Sequence, residues 1–322
     1  MVNAGHVLVT DPLIAGYLGE PDWEVLVRRP DDEVVARLPD VDVLVASRVT
    51  AEMASAAKSL RLLHVPGAGV DRVALDALAP GVTVCNTFHH GRSIAEHVVM
   101  VSLMLSRRVL LTDRMLRQGA WVSVAVDPDV RMGTTLAGRT VGVVGLGEIG
   151  QEVVRGLTAL GMRAQAVRRN PVAPDGLPLD RVAGLSGLDE LLSTSDIVVL
   201  TVPLTDETRG MIDARRLALM GRDAVLVNVA RGPLVDEDAL FDALAAGRIG
   251  GAALDVWWGH PKDGPGVKGY TRPFEVLDNV VMTPHNSGHT DETFRGRAGD
   301  ITANVTRLWR GQPLVNVVRA GR

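Results

Sequence analysis

The chain of 322 residues carries 34 Lys and Arg against 38 Asp and Glu, with 46% hydrophobic and 22% charged residues. That length implies two domains at ~150 residues each, and the composition excludes a disordered, collagen-like or disulfide-built chain. The cations are scattered without a basic block, which argues against a nucleic-acid partner.

One cysteine, Cys85, cannot close an intrachain disulfide, and no apolar run approaches the ~20 residues of a membrane span. The first residues lack a basic n-region, and Asp11 interrupts the first apolar stretch, so the expectation is a soluble cytoplasmic protein without membrane contact. Short bursts of Val, Leu and Ala, each followed by Gly, Pro, Asn or Asp, predict buried parallel strands alternating with helices. The first such bursts are 6–10, 41–46, 61–65 and 82–85. From 94 to 116 the apolar spacing turns helical through Val98, Val101, Met104 and Leu105, and it closes on Arg117, Gln118 and Gly119. This predicts one long connecting helix. A second strand series follows at 140–144, 163–167, 196–202, 224–229, 250–256 and 279–283. Six strands are the number of a full dinucleotide-binding sheet. Helices are expected at 208–220 and 236–246, the second with Asp236, Glu237 and Asp238 in its first turn and Gly247 at its end. Segments 170–187 and 259–273 are rich in Pro and Gly and read as loops.

The decisive motif is Gly145-Leu146-Gly147-Glu148-Ile149-Gly150, which joins the strand at 140–144 to a helix carrying Ile149, Val153, Val154 and Leu157. Gly145 permits the tight turn, Gly147 lets the backbone approach a pyrophosphate, and Gly150 allows close helix-strand packing. The helix start adds N–H groups and the positive end of its dipole. Cofactor choice is decided where the next strand ends, here Val167-Arg168-Arg169-Asn170 with no acid. Arg168 lies 18 residues after Gly150, close to the ~20 expected of the discriminating position. Two guanidiniums there suit a 2′-phosphate and favour NADP(H), with NAD(H) also possible. The alternative is a solvated surface pair.

Five ordered motifs now carry a resemblance: Gly145 to Gly150; 196–205 with Thr208; Asn228-Val229-Ala230-Arg231-Gly232; Ala252-Ala253-Leu254-Asp255-Val256; and Thr283-Pro284-His285. Along nearly its whole length the chain resembles the D-isomer-specific 2-hydroxyacid dehydrogenase family. The resemblance implies an α/β protein with a Rossmann-type coenzyme domain, 104–286, inserted into a flavodoxin-like substrate domain, 1–103 and 287–322, and a homodimer as the usual assembly. It implies reduction of a small anionic 2-keto acid to the D-2-hydroxy acid, with Arg231 as substrate clamp and His285 as proton donor. Asp255 would sit near the nicotinamide and tune the site. Further cofactor contacts would come from Leu146, Glu148, Ile149, Val202, Pro203, Thr208, Val229, Ala230, Asp255 and His285. The turn 65–71 resembles the family's glycine-rich turn, in which the backbone at Ala68 and Gly69 helps bind the substrate carboxylate. His89, His90 and Arg92 precede a stretch similar to the family's Val-Ala-Glu helix start and are expected to face the cleft. Ser93 and Glu96 equally fit a capping box.

One departure concerns the acid that the family usually places five residues beyond the aspartate, because that position here is His260. A neutral imidazole can orient His285 but cannot stabilise imidazolium as a carboxylate does; alternatively His260 is a loop residue. The related formate dehydrogenases also lack the acid and share Asp-Val-Trp and Ser287-Gly288, so formate oxidation is a second reading. Against it stands histidine where that branch's pocket asparagine is expected. The C-terminal-binding-protein corepressors, which use the cofactor to set assembly, are a third reading. Lys262, Lys268, Tyr270 and Arg272 in the long loop would, if it folds over the cleft, hold a second anionic group of the substrate. No metal is expected, since the eight histidines and Cys85 show no ligand-like spacing beyond adjacent His89 and His90.

Overall fold

The computed structural model describes residues 5–19, 24–26, 31–259 and 268–321. The chain forms two compact units, Met1–His90 with His289–Arg322 and Gly91–Gly288. The first is built on strands β1 (Val7–Val9), β2 (Glu24–Val25), β3 (Val43–Val45), β4 (Leu62–His64) and β5 (Thr83–Cys85), all parallel in the order 2-1-3-4-5. This is the flavodoxin-like order. Helices α1 (Pro12–Ala15), α2 (Asp31–Arg37) and α3 (Ala51–Ala56) make connections between the strands. Side chains alternate across the sheet. Leu8, Leu44, Leu63 and Val84 meet Val34, Leu38 and Met53 on one face, while Val7, Val9, Val43, Val45, Leu62 and Cys85 meet Phe294, Ile301 and Val305 on the other. Both faces are buried, which is why these strands read as unbroken apolar triplets.

The second unit opens with α4 (Gly91–Ser106) and α5 (Val109–Arg117). The single helix expected at 94–116 is therefore two, because Arg108 adopts a left-handed φ of 55° that an α-helix of L-residues cannot carry through. The domain boundary expected at 103/104 falls inside α4, and the structure divides at 90/91 and 288/289 instead of 103/104 and 286/287. The reason is packing: Ile94, Ala95, Val98 and Val101 of α4 share one core with Val141, Val143, Val153, Val154 and Leu157.

The sheet of this unit takes β6 (Thr140–Val144), β7 (Arg163–Val167), β8 (Arg181–Ala183), β9 (Ile197–Leu200), β10 (Val225–Asn228), β11 (Gly251–Leu254) and β12 (Val280–Met282), with α6 (Glu148–Thr158), α7 (Leu188–Thr194), α8 (Ala214–Leu217) and α9 (Glu237–Ala245) between them. All neighbours are parallel, in the order β8-β7-β6-β9-β10-β11-β12. Strand order reverses between β6 and β9, so the switch point where such sheets bind ligands lies at their carboxyl ends. The expected six strands are present, and β8 is a seventh, formed within the segment read as loop. The helix expected at 208–220 contracts to the four residues of α8, because Gly210 is left-handed at φ 62° and interrupts it. Helix α9 follows expectation: Asp236 caps it by accepting from the Ala239 amide at 2.9 Å, and Gly247 at φ 61° follows its end.

The chain returns to the first unit through α10 (Asp291–Trp309) and β13 (Val317–Arg319), the latter antiparallel on β5. Among the described residues no helix is long and apolar enough to cross a membrane.

His64, fully buried at the end of β4, ties this return to the sheet. Its Nε2 lies 3.1 Å from Asn304 Nδ2, while the same amide donates to Val315 O and accepts from Val315 N, each at 2.9 Å. Nδ2 is a donor, so Nε2 is bare and the proton sits on Nδ1, which has no hydrogen-bond partner among the described residues. Burial pushes the ring's pKa down from 6.5 to about 4, outweighing the upward pull of the Val65 backbone and Asp300. Above pH 6.5 both folded and unfolded rings are neutral and this contribution to stability is complete. As pH falls from 6.5 toward 4 the unfolded chain takes up a proton that the folded chain refuses, and about 3 kcal/mol is lost. Urea unfolding at stepped pH should show that loss in the wild type and a shallower one in His64→Gln.

Candidate active site

Because all strands of the second unit are parallel, the loops after β6, β9, β10, β11 and β12 leave the same edge of the sheet. The first is the glycine motif. Gly145 has φ 98°, and a side chain there would strike Val202 Cγ1 at 2.8 Å. Thr201 Oγ1 donates to Gly145 O at 2.6 Å and locks this loop to the one after β9. A Cβ on Gly150 would sit 2.1 Å from Gly145 O, whereas one on Gly147 would meet nothing within 4 Å. Helix α6 starts at Gly147 without a side-chain cap. Crowding at Gly145 and Gly150 with open space at Gly147 fits the pyrophosphate of a dinucleotide on the helix N-terminus.

Other expected cofactor residues divide by their surroundings. Leu146 is buried in the core, so only its backbone is available, and Ile149 packs partly against the same core. Glu148 stands in the first turn of α6 with its side chain against Gly91. Val202 and Pro203 follow β9, where Thr208 Oγ1 donates to Pro203 O and accepts from the Thr205 amide, both at 2.8 Å. The Thr208 hydroxyl is thus spent on closing its loop. Val229 and Ala230 are buried after β10. Beyond β7, Arg168 Nη1 donates to Val172 O at 2.9 Å, and exposed Arg169 stands 4.0 Å from exposed Glu207. A surface pair of this kind is worth ~0–1 kcal/mol, too little to compete with a phosphate for the guanidinium.

Arg231 and His285 follow β10 and β12. Buried Asn228 sets the backbone at Arg231: its Nδ2 donates to Arg231 O at 2.9 Å and its Oδ1 accepts from the Ala230 amide at 3.1 Å. Arg231 Nη1 donates to Ala230 O at 2.7 Å. The next residue, Gly232, lies so close to the loop after β11 that a Cβ would be 2.3 Å from the Trp257 carbonyl. His285 is left-handed at φ 58°, a conformation that costs a non-glycine residue of order 1–3 kcal/mol and persists only where its surroundings hold it.

Asp255 holds it. Its carboxylate, 1% exposed, accepts from Thr283 Oγ1 at 2.6 Å, from the Asn286 amide at 3.0 Å, from the Ser287 amide at 3.1 Å and from Ser287 Oγ. Trp257 Nε1 donates to Thr283 O at 2.9 Å, and Ser93 Oγ donates to Ser287 O at 2.7 Å. The turn carrying His285 is bound on both sides of the histidine. His97 on α4 feels the same carboxylate, which pulls its pKa upward while burial pushes it down more strongly.

In the first unit, Ala68 and Gly69 lie in the turn after β4, held by Asn86 Nδ2 on Ala68 O at 2.8 Å and the Thr87 amide on Gly67 O at 3.3 Å. His89 Nε2 is 2.9 Å from Asp300, its ring lies against Gly296, and its φ is 65°. His90 is buried with Nδ1 2.9 Å from Phe88 O. Exposed Arg92 pairs with Glu96 at 3.1 Å, and Ser93 lies inside α4, so the capping-box reading of Ser93 and Glu96 is replaced by a helix-surface pair and a buried tie to Ser287. His260 and Lys262 lie outside the described residues. Arg272 does not point an idle charge at a ligand: it pairs with Asp238 and Asp242 at 2.8 and 2.9 Å and stacks over Phe241. Tyr270 packs on Trp257 and Phe274. Among the described residues no group of three or more His, Cys, Asp or Glu is disposed to hold a metal.

The sequence reading named Asn228, Thr283 and Ser287 within motifs without giving them a role, and it passed over Glu207. For two of them a signal existed, since Thr283 and Ser287 stand two residues either side of His285.

Residues 99–287 match the family model for the D-isomer specific 2-hydroxyacid dehydrogenase, NAD binding domain. The D-3-phosphoglycerate dehydrogenase of Methanocaldococcus jannaschii is 34% identical over 325 aligned positions, covering 97% of this chain and 59% of its own length. The glyoxylate reductase of Thermococcus onnurineus is 37% identical over 281, covering 84% of this chain and 81% of its own. A crystal structure of a D-isomer specific 2-hydroxyacid dehydrogenase from Xanthobacter autotrophicus Py2, in complex with NADPH and MES, superposes with a TM-score of 0.76 at 30% identity over 98% of each chain. The chain belongs to the D-isomer specific 2-hydroxyacid dehydrogenase family and contains its NAD-binding domain. It spans little more than half the length of the phosphoglycerate dehydrogenase it matches.

Asp255→Asn keeps the shape of the side chain but leaves one acceptor oxygen where two served. Hydrogen exchange at the Asn286 and Ser287 amides should accelerate about tenfold, in line with the worth of a hydrogen bond to a charged group.

Proposed function

We propose that this chain is a 2-keto acid reductase that prefers NADPH and forms the D-2-hydroxy acid. The observation that carries the reading is the convergence on one sheet edge of the open glycine turn, Arg231 and the Asp255-held turn of His285. Reduction needs a cation on the substrate carboxylate and carbonyl, a proton for the oxygen that becomes alkoxide, and a two-electron donor. The nicotinamide supplies the hydride when bound. Arg231 orients the acid and polarises its carbonyl; His285 gives a proton to the carbonyl oxygen, and its near-neutral ordinary pKa suits return of that proton in the reverse direction. Asp255 acts through the His285 turn. Ala68 and Gly69, with His89 and His90, are the first unit's candidates for substrate contact, and His260 remains the candidate partner of His285.

Arg168 and Arg169 support the NADPH preference, because neither is held by a strong ion pair and no acid ends β7. A homodimer is supported by α5, which buries none of its own residues, and by the exposure of Leu116, Trp121, Val126 and Met132. A cytoplasmic location fits a chain whose lone cysteine, buried Cys85, cannot close an intrachain disulfide.

The test is loss of reduced-nicotinamide absorbance with NADPH and NADH, each against glyoxylate, pyruvate, oxaloacetate and phosphonopyruvate. His285→Gln should lower kcat by about 10²–10⁴-fold with cofactor binding retained. In Arg168→Ala/Arg169→Ala the KM for NADPH should rise about tenfold or more while that for NADH barely moves. Equal KM shifts for both cofactors would overturn the preference, and no turnover with any acid would overturn the activity.

A further inference from the structure

Within the first unit, one face of α10 grips the loop that follows β5. Thr293 Oγ1 donates to His89 O at 3.1 Å, and Arg297 Nε donates to Phe88 O at 3.3 Å. Gly296 lies so close to the His89 ring that a Cβ would stand 2.5 Å from it. One turn further on, Asp300 Oδ2 accepts from Thr87 Oγ1 at 2.7 Å and from His89 Nε2 at 2.9 Å. Positions 293, 296, 297 and 300 have the spacing of a single helical stripe. Asp300 supplies the carboxylate of that stripe, and hydrogen bonds to a charged acceptor are the stronger kind. Thr87 is fully buried, so its hydroxyl has no water to turn to and depends on this acceptor.

The gripped loop in turn holds the glycine-rich turn after β4. The Thr87 amide donates to Gly67 O at 3.3 Å, and Asn86 Nδ2 donates to Ala68 O at 2.8 Å. A trans peptide is planar, and its N–H points opposite to its C=O; among the described residues no peptide bond is cis. Fixing Gly67 O therefore fixes the Ala68 N–H, and fixing Ala68 O fixes the Gly69 N–H. Both amides are directed away from the loop after β5, and Gly69 is exposed. These are the two backbone donors offered above for the substrate carboxylate. We propose that Asp300 is a positioning residue for this turn: by anchoring Thr87 it fixes the peptide planes that aim the Ala68 and Gly69 amides. What those amides bind rests on the reductase reading. That Asp300 holds the turn does not.

The experiment uses the full chain as wild type, Asp300→Ala, Thr87→Val, Thr87→Ser and the double variant Asp300→Ala/Thr87→Val. In Asp300→Ala and in Thr87→Val the KM for the keto acid that the wild type reduces should rise about tenfold, in line with the loss of a hydrogen bond to a charged group. Turnover number and the KM for the reduced nicotinamide should stay close to wild type, because the interaction lost is binding shared by ground and transition states. Thr87→Ser keeps the hydroxyl and should behave as wild type. The double variant should be no worse than either single one, since both changes cut the same link. A merely structural Asp300 would move kcat and both KM values together, and that result overturns the proposal, as does an unchanged keto acid KM. A double variant whose KM rises about a hundredfold overturns the route through Thr87. If Asp300→Ala fails to fold, the contrast between Thr87→Val and Thr87→Ser decides. If the wild type reduces no acid, the reductase reading fails, and hydrogen exchange at the Thr87 amide still decides: a rate about tenfold faster in Asp300→Ala supports the anchor, and an unchanged rate overturns it.

Discussion

A carboxylate taken out of water demands donors, and the loops around Asp255 are arranged by that demand. At 1% exposure its two oxygens have no solvent to turn to, and leaving such a charge uncompensated would cost several kcal/mol. Thr283, Asn286 and Ser287 meet the need with two hydroxyls and two amides. Those donors lie on either side of His285, so satisfying the charge bends the chain through a left-handed residue and fixes where the imidazole starts. The strain at His285 is thus offset by the same contacts that define its place.

Glycines transmit the constraint sideways along the sheet edge. Gly232 lets the Arg231 loop touch the Trp257 carbonyl, and Gly145 lets the first turn touch Val202. Neither approach survives a Cβ. The loops after β6 and β9 therefore form one backbone-packed pair, and those after β10 and β11 another, while Ser93 joins the start of α4 to the turn after β12. Asn228 and Gly232 fix the backbone on either side of Arg231.

What was legible in the sequence followed from burial on two faces and from special backbone geometry. Strands β6, β7, β9, β10, β11 and β12 are apolar runs ended by turn-formers, and Gly145 to Gly150 states its geometry in residue type. The misses were features in which long-range contact outweighs local pattern. Strand β8 is three residues, Arg-Val-Ala, at a sheet edge and has no apolar run to announce it. The apolar spacing of 94–116 runs through Arg108 unmarked, although its left-handed backbone separates α4 from α5, none of whose residues is fully buried. Arg272 looked like an available cation, yet α9 presents Asp238 and Asp242 at the right turn of helix to claim it.

The site residues divide by the kind of atom that acts. Pyrophosphate recognition rests on backbone N–H groups and absent side chains, which tolerate little change because every atom involved belongs to the fold. The proposed roles of Arg231 and His285 rest instead on side chains, and those are placed by neighbours rather than by their own sequence: Asn228 sets the backbone at Arg231, and the donors gathered on Asp255 set the turn of His285. A fold can therefore keep these loops while the side chains they carry decide the chemistry.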